Sequence, residues 1–103
     1  MNTDLKKQWF LIYTRPGSEK RVAELLERKH LEVFCPLTKA QKRWSDRKKP
    51  AFSPLFSSYV FVFASTNEHN IIRQPDGVIN FIYWLARPAI LRQGEIDTIR
   101  HFL

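Results

Sequence analysis

A basic segment between residues 39 and 52, "KAQKRWSDRKKPAF", holds the residue types that could contact a nucleic acid. It carries six basic residues and one acid, and it places a tryptophan among the cations. Lysine and arginine side chains bind phosphate oxygens, and an exposed indole can stack on a base. The segment therefore predicts nucleic-acid contact through Lys42, Arg43, Trp44 and Arg47. The alternative is a solvated hairpin whose tryptophan folds back onto the domain.

Catalytic and metal-binding chemistry has no candidate in the sequence. The histidines have no spacing typical of a metal site and are predicted to face solvent on or near helices; they are His30, His69 and His101. Cys35, the single cysteine, lies beside Pro36 in an apolar stretch and predicts a buried, inert thiol. The three glycines form no phosphate-binding loop. We therefore predict a protein that is not an enzyme and uses no cofactor, metal or small-molecule substrate.

A run of apolar residues within "SPLFSSYVFVFAS", residues 53–65, predicts a docking surface for another protein. Pro54 favours an extended or turning entry to the strand, and a domain of this size cannot easily cover both Leu55 and Phe56 there. An exposed apolar patch beside a cationic surface suits a protein that docks on nucleic-acid machinery. The residues predicted to form the patch are Tyr13, Phe52, Leu55, Phe56 and Tyr59.

The elements that must position these residues follow from the hydrophobic pattern. Residues 9–13, "WFLIY", are apolar throughout, which is typical of a central strand. The helix after Ser18 has Val22, Leu25, Leu26 and Lys29 at helical spacing, and the last helix follows a turn through Gly94 with Ile96, Ile99 and Leu103 inward. The predicted elements are strands at 9–13, 32–38, 58–63 and 78–84, helices at 19–30, 69–74 and after 94, and a hairpin or mobile loop at 39–52.

This order predicts an α+β fold, in which helices flank a mostly antiparallel four-stranded sheet and a basic β-hairpin protrudes. Pro36 argues that residues 32–38 form an edge or bulged strand. Residues 1–7 are predicted to be a disordered tail, and 8–103 a single domain. Because the last helix has no stop signal before Leu103, we expect the chain to be cut from a longer protein.

Composition and charge restrict the partners. The chain has 103 residues, a formal net charge of +7 and one cysteine. An excess of positive charge favours polyanionic partners or acidic protein surfaces, and the lack of an internal disulfide fits a reducing, cytoplasmic compartment. No segment approaches the roughly 20 apolar residues that span a bilayer.

Three blocks of sequence resemble the N-terminal domain of NusG-type transcription elongation factors. They are "WFLIYTRPGSEKRVAELLERK", "PLFSSYVFVF" and "GVINFIYW" with "RPAILRQGEIDTI", in the right order and spacing over residues 8–103. The second block and the charged hairpin are more similar to the specialised members, of RfaH and UpxY type, than to housekeeping NusG, where a glycine usually precedes the tyrosine. The resemblance implies the ferredoxin-like sandwich of this domain, called the NGN domain.

The resemblance also implies a function and partners. Such domains bind bacterial RNA polymerase at the clamp helices, bridge the main channel and suppress pausing or termination. The docking patch would then meet the clamp helices, and Glu68, His69 and Asn70 fall where specialised members touch the gate loop. Arg15, Arg21 and the hairpin lie where those members touch the non-template DNA strand. Family members normally continue into a small KOW domain, which we expect to be missing from this chain.

A free-standing module that binds RNA or single-stranded DNA is the alternative. Alternating aromatic residues in "SSYVFVF" resemble the base-stacking strand of RNA recognition motifs. In that signature, however, a basic residue and a glycine occupy the positions of Ser57 and Ser58. Phe61 and Phe63 are therefore predicted to pack in the core.

Overall fold

The strands of the domain form one main antiparallel sheet and two short hairpins. The structure, a computed structural model, describes residues 6–40, 51–54 and 56–101, of which 37–40 and 51–54 are described by their backbone. The strands are β1 (Gln8–Thr14), β2 (Glu32–Phe34), β3 (Leu37–Ala40), β4 (Ala51–Pro54), β5 (Tyr59–Ala64), β6 (Val78–Phe81), β7 (Tyr83–Trp84), β8 (Arg87–Pro88) and β9 (Ile90–Leu91). The helices are α1 (Glu19–Glu27), α2 (His69–Arg73) and α3 (Gln93–His101), and a 3-10 turn, Thr66–Glu68, precedes α2.

The main sheet has the strand order β2-β5-β1-β6, and the short β9 also pairs with β1. Strand β1 pairs with β5 along its whole length, from Gln8 opposite Ala64 to Tyr13 opposite Tyr59. All pairings are antiparallel. The predicted α+β fold with β1 at its centre is therefore confirmed, with one additional short strand.

Successive side chains of each strand point to opposite faces of the sheet, so the core consists of one cluster on each face. On one face, α1 and α2 pack over a cluster that includes Phe10, Ile12, Val22, Leu26, Val60, Val62, Ile72 and Phe81. On the other face, Ile96 of α3 packs with Trp9, Phe34 and Phe61. The Trp9 indole Nε1 donates to Gln93 Oε1 at 2.8 Å, and the Arg100 guanidinium lies 4.8 Å from the centre of the Phe34 ring. Helix α3 thus covers this second face around Trp9 and Phe34.

The structure corrects several predicted boundaries. The predicted strand 32–38 divides into β2 and β3 at Pro36, and β2 lies at the sheet edge, as that proline indicated. Helix α1 ends at Glu27, so Lys29, which continues the helical spacing of Val22 and Leu26 in the sequence, lies after the helix and is exposed. Ser18 occupies the N-cap position, but its side chain makes no capping hydrogen bond. Helix α3 begins at Gln93, so Gly94 lies inside it and not in a preceding turn.

The predicted strand 78–84 also ends early, at Phe81. Tyr83 and Trp84 instead pair with Pro88 and Arg87 in a separate two-stranded hairpin. Its turn residues Leu85 and Ala86 have φ values of 53° and 64°. Left-handed backbone is unfavourable for residues with a side chain, so nothing in the sequence indicated a turn there.

Candidate functional site

Two tyrosines lie side by side on the sheet face that α3 covers in part. Tyr13 and Tyr59 are paired across β1 and β5, and their ring centres are 5.9 Å apart. Both are half-buried, whereas Phe61, next along the same face of β5, is 4% exposed. Phe56 borders them: it is 37% exposed, and its ring stands edge-on to Phe61 at 5.8 Å. We call Tyr13, Phe56 and Tyr59 the aromatic patch.

The aromatic patch is held by the loop that enters β5. Thr14 donates its backbone N–H to the Ser58 carbonyl at 2.8 Å, which ties the loop to the end of β1. Ser58 has a φ of 71°, a left-handed conformation in which glycine carries no side-chain penalty. Phe52 lies on β4, paired with Lys39 of β3, while Leu55 lies outside the described residues.

The three residues predicted near the gate loop do not share one environment. Glu68 Oε1 accepts hydrogen bonds from the backbone N–H and the hydroxyl of Ser65, both at 3.0 Å, in a capping box. His69 packs between Phe10 and Phe81, with ring-centre distances of 4.6 Å and 4.2 Å. Asn70 is exposed. The prediction that His69 faces solvent is wrong, because its ring completes the core beneath α2.

The position of His69 affects its protonation. Its Nε2 atom is buried and has no hydrogen-bond partner in the part of the chain that the structure describes. Burial, and secondarily the positive charge of Arg73, lowers the pKa of His69 below its ordinary value. The folded protein therefore favours the neutral imidazole.

Acidification is expected to destabilise the protein through His69. Because its pKa is lower in the folded state than in the unfolded state, its contribution to stability is complete above pH 6.5 and is lost as the pH falls. Urea unfolding at pH 7.5 and 5.5 should show a larger loss of free energy in the wild type than in His69→Phe. His30→Asn, which removes an exposed histidine, should keep the wild-type dependence. An equal loss in His69→Phe and the wild type would contradict this assignment.

The cationic residues predicted to contact nucleic acid are described only in part. Arg15 and Arg21 are exposed, before and within the first turn of α1. The Arg15 guanidinium pairs with the Asp76 carboxylate at 2.7 Å, so an approaching phosphate must compete with that carboxylate. Strands β3 and β4 pair as the arms of the predicted hairpin. The hairpin residues Lys42, Arg43, Trp44 and Arg47 lie outside the described residues.

The most exposed large apolar residues that the structure describes were not predicted from the sequence. Trp84 is 72% exposed and Leu85 82% exposed, at the tip of the β7–β8 hairpin. Tyr83 accepts a hydrogen bond from the Arg73 side chain of α2 at 2.9 Å, so Trp84, its neighbour in the strand, points away from α2. The apolar run "YWLA" was the only sequence feature at this hairpin that could have indicated an exposed apolar surface, but its pattern is that of a continuing strand.

The described residues offer little for catalysis or metal binding. Burial raises the pKa of the Cys35 thiol, with the nearby Glu19 carboxylate adding to the effect, so the thiol stays protonated at neutral pH. Cys35 lies in an open groove of about 410 Å³ between α1 and β2. Within residues 6–40 and 56–101, no group of three potential ligand side chains could hold a metal ion. Among the helices that the structure describes, none is long and apolar enough to cross a membrane.

Comparison with known proteins gives one family and a matching fold. The family model NusG, described as "Transcription termination factor nusG", matches residues 7–100. No curated protein matches the sequence. Among solved structures, NusG from Thermotoga maritima, described under "Domain interaction in Thermotoga maritima NusG", superposes with a TM-score of 0.68 at 22% sequence identity. The match covers 93% of this chain and 56% of that one, so the chain spans a little over half the length of the protein it resembles.

Proposed function

The chain belongs to the NusG family, and from this membership we propose that it is a transcription elongation and antitermination regulator that docks on bacterial RNA polymerase through the aromatic patch. The NusG-family domain is a non-enzymatic transcription factor domain, so family membership confirms the prediction that the chain is not an enzyme. The observation that carries the docking proposal is the partial exposure of aromatic side chains on a sheet face that is otherwise covered by α3.

The aromatic patch has the properties of an interface centre. Tyrosine and phenylalanine bury large areas at little cost in side-chain entropy, and such residues often dominate binding energy. Tyr13 and Tyr59 are already oriented by the strand pairing, so docking would order few groups. We propose that the patch, together with Phe52 and Leu55, binds the clamp helices, and that the segment Glu68 to Asn70 contacts the gate loop. A domain held at both points would bridge the main channel and suppress pausing or termination.

The alternative of a free-standing RNA-binding module finds less support. In an RNA recognition motif, strand aromatics stack on bases and must be accessible. Here Phe61 is 4% exposed and Phe34 is 9% exposed, because α3 packs over them. The net charge of +7 keeps nucleic-acid contact in the proposal, as a second interaction of a polymerase-bound factor.

We propose that non-template DNA is contacted by the cations on the α1 side and on the basic hairpin. They are Arg15, Arg21, Lys42, Arg43 and Arg47, with Trp44 as a stacking residue. Arg15 lies four residues before α1, Arg21 lies in its first turn, and both are exposed. We also propose that the protein is located in the cytoplasm. We further propose that it is more similar to the specialised family members than to housekeeping NusG, because Ser58 precedes Tyr59 where NusG usually has a glycine.

Arg15→Ala is expected to weaken binding of single-stranded DNA several-fold. Loss of one phosphate contact should also reduce the slope of log affinity against log salt by about 0.7. Asp76→Asn should have the opposite effect on affinity, because it releases Arg15 from its ion pair. Fluorescence anisotropy with a labelled oligonucleotide in a salt series measures both quantities.

Arg28→Ala is the matched control, since it removes an exposed cation just after α1, at the end away from Arg15. An equal loss of affinity in Arg28→Ala and Arg15→Ala would show that only net charge matters, against a specific DNA path.

The experiment that tests the proposed function is retention of purified core bacterial RNA polymerase by the immobilised protein. Parallel binding to single-stranded RNA and DNA is measured by anisotropy. Retention of the polymerase at physiological salt, together with reduced pausing in a single-round transcription assay, is the expected result. Failure to retain polymerase, with tight binding of RNA, would replace the regulator with the RNA-binding module.

A further inference from the structure

One buried carboxylate in α1 has no role in the function proposed so far. Glu19 is 3% exposed, and it is the only ionisable side chain among the buried polar residues that the structure describes. From the sequence pattern, Glu19 is an acidic residue in the first turn of a helix. There it would interact favourably with the helix dipole while remaining at the surface. A buried carboxylate instead needs a hydrogen-bond donor close by.

The donor is the backbone of the loop that carries the aromatic patch. Glu19 Oε2 accepts a hydrogen bond from the Ser58 N–H at 2.6 Å, across 39 residues of sequence. The Ser58 carbonyl accepts from the Thr14 N–H at 2.8 Å. Both backbone polar groups of Ser58 are therefore bonded, one to α1 and one to β1.

These two bonds fix an unfavourable backbone conformation. Ser58 has a φ of 71°, in the left-handed region that serine rarely adopts without support. Phe56 lies two residues before it and Tyr59 immediately after it. A change of φ at Ser58 would redirect the chain between these two rings, so the conformation of this one residue determines how the aromatic patch is arranged.

We propose that Glu19 is a positioning residue for the aromatic patch: its carboxylate holds Ser58 in the left-handed conformation and thereby keeps Phe56 and Tyr59 in the arrangement that docks. The inference rests on the proposed docking function. Glu19 does not touch the partner, since it is buried beneath the loop.

The test compares four variants for affinity and stability. Glu19→Ala removes the hydrogen-bond acceptor of the Ser58 N–H, and Glu19→Gln replaces it with a neutral acceptor. Glu24→Ala is the matched control, because it removes an exposed carboxylate from the same helix. The fourth combines Glu19→Ala with Ser58→Gly, because glycine adopts a positive φ without support. Binding to core RNA polymerase is measured by biolayer interferometry, and urea unfolding confirms that each variant is folded.

Glu19→Ala is expected to weaken polymerase binding about tenfold, the effect of one lost charge-assisted hydrogen bond. Glu19→Gln should lose less, and Glu24→Ala should match the wild type. Adding Ser58→Gly should restore affinity to within about threefold of the wild type. A folded Glu19→Ala with wild-type affinity, or a double variant that is not restored, would overturn the positioning role.

A second measurement separates this inference from the docking function. Amide hydrogen exchange of Ser58 is followed by NMR in the free protein, with no polymerase present. The Ser58 amide should be protected in the wild type and exchange much faster in Glu19→Ala, with unchanged protection at Val60 in the core of β5. Equal protection in both proteins would overturn the inference. If the wild type does not bind polymerase, the docking function fails while the exchange result still decides whether Glu19 holds the loop.

Discussion

Phe56→Ala is expected to weaken binding to core RNA polymerase by thirtyfold or more while leaving the protein folded. Aromatic residues at the centre of an interface typically contribute about 2 kcal/mol or more when truncated, which corresponds to about thirtyfold in affinity. Phe56 is 37% exposed, so removing its ring costs the folded state only the part that packs on Phe61. We expect that loss to be about 1 kcal/mol in urea unfolding.

Ile71→Ala is the matched control for this prediction. Ile71 is an apolar residue of similar exposure, 39%, but it lies on α2, which packs on the opposite face of the sheet. It should retain wild-type affinity. Tyr59→Ala should also lose binding, but its ring packs against Tyr13 and requires a circular dichroism control. If Phe56→Ala binds as well as Ile71→Ala does, the aromatic patch is not the docking surface.

Gly77→Ala is expected to reduce the free energy of unfolding by about 2–5 kcal/mol. Gly77 has a φ of 104°, which L-residues rarely adopt, and an added Cβ would lie 2.9 Å from Val22 Cγ2 and 3.1 Å from Ser18 Cβ. Val22 is fully buried, so the helix itself must shift to make room. The estimate sums the backbone penalty of about 1–2 kcal/mol and the overpacking cost of about 1–3 kcal/mol.

The other two glycines provide graded controls. Gly17 has a φ of 87° but open space around it, so Gly17→Ala should cost only the backbone penalty, about 1–2 kcal/mol. Gly94 lies in α3 with nothing within 4 Å of an added Cβ, so Gly94→Ala should stabilise the protein by about 0.5–1 kcal/mol. Urea unfolding measures all three. A loss in Gly77→Ala no greater than in Gly17→Ala would contradict the packing argument.

The main elements could be predicted because their signals are local. Five consecutive apolar residues predicted β1, and the spacing of Val22 and Leu26 predicted α1; both residues are fully buried. The β7–β8 hairpin could not be predicted in this way. Its turn uses Leu85 and Ala86 in a left-handed conformation that usually requires glycine or asparagine.

The residue types of the candidate site could be predicted from the sequence. The contacts that hold those residues in place could not. Pro54 and the apolar residues after it predicted exposure at Phe56, which the structure describes as 37% exposed. The hydrogen bond from Ser58 to Glu19 joins residues 39 apart, and no local pattern connects them. His69 was misassigned for the same reason, since its contacts with Phe10 and Phe81 depend on how the sheet closes.

The strand pairing of β1 has a consequence for how the protein folds as it is synthesised. The first strand bonds to one of the last, with Trp9 opposite Leu91, and its indole bonds to Gln93, 84 residues later. Contacts between such distant parts of a chain slow folding, because the intervening loop must be closed first. While the ribosome is still producing α3, the apolar residues of β1 lack part of their final cover. Until those contacts form, this nascent strand is expected to be a segment that a chaperone would protect.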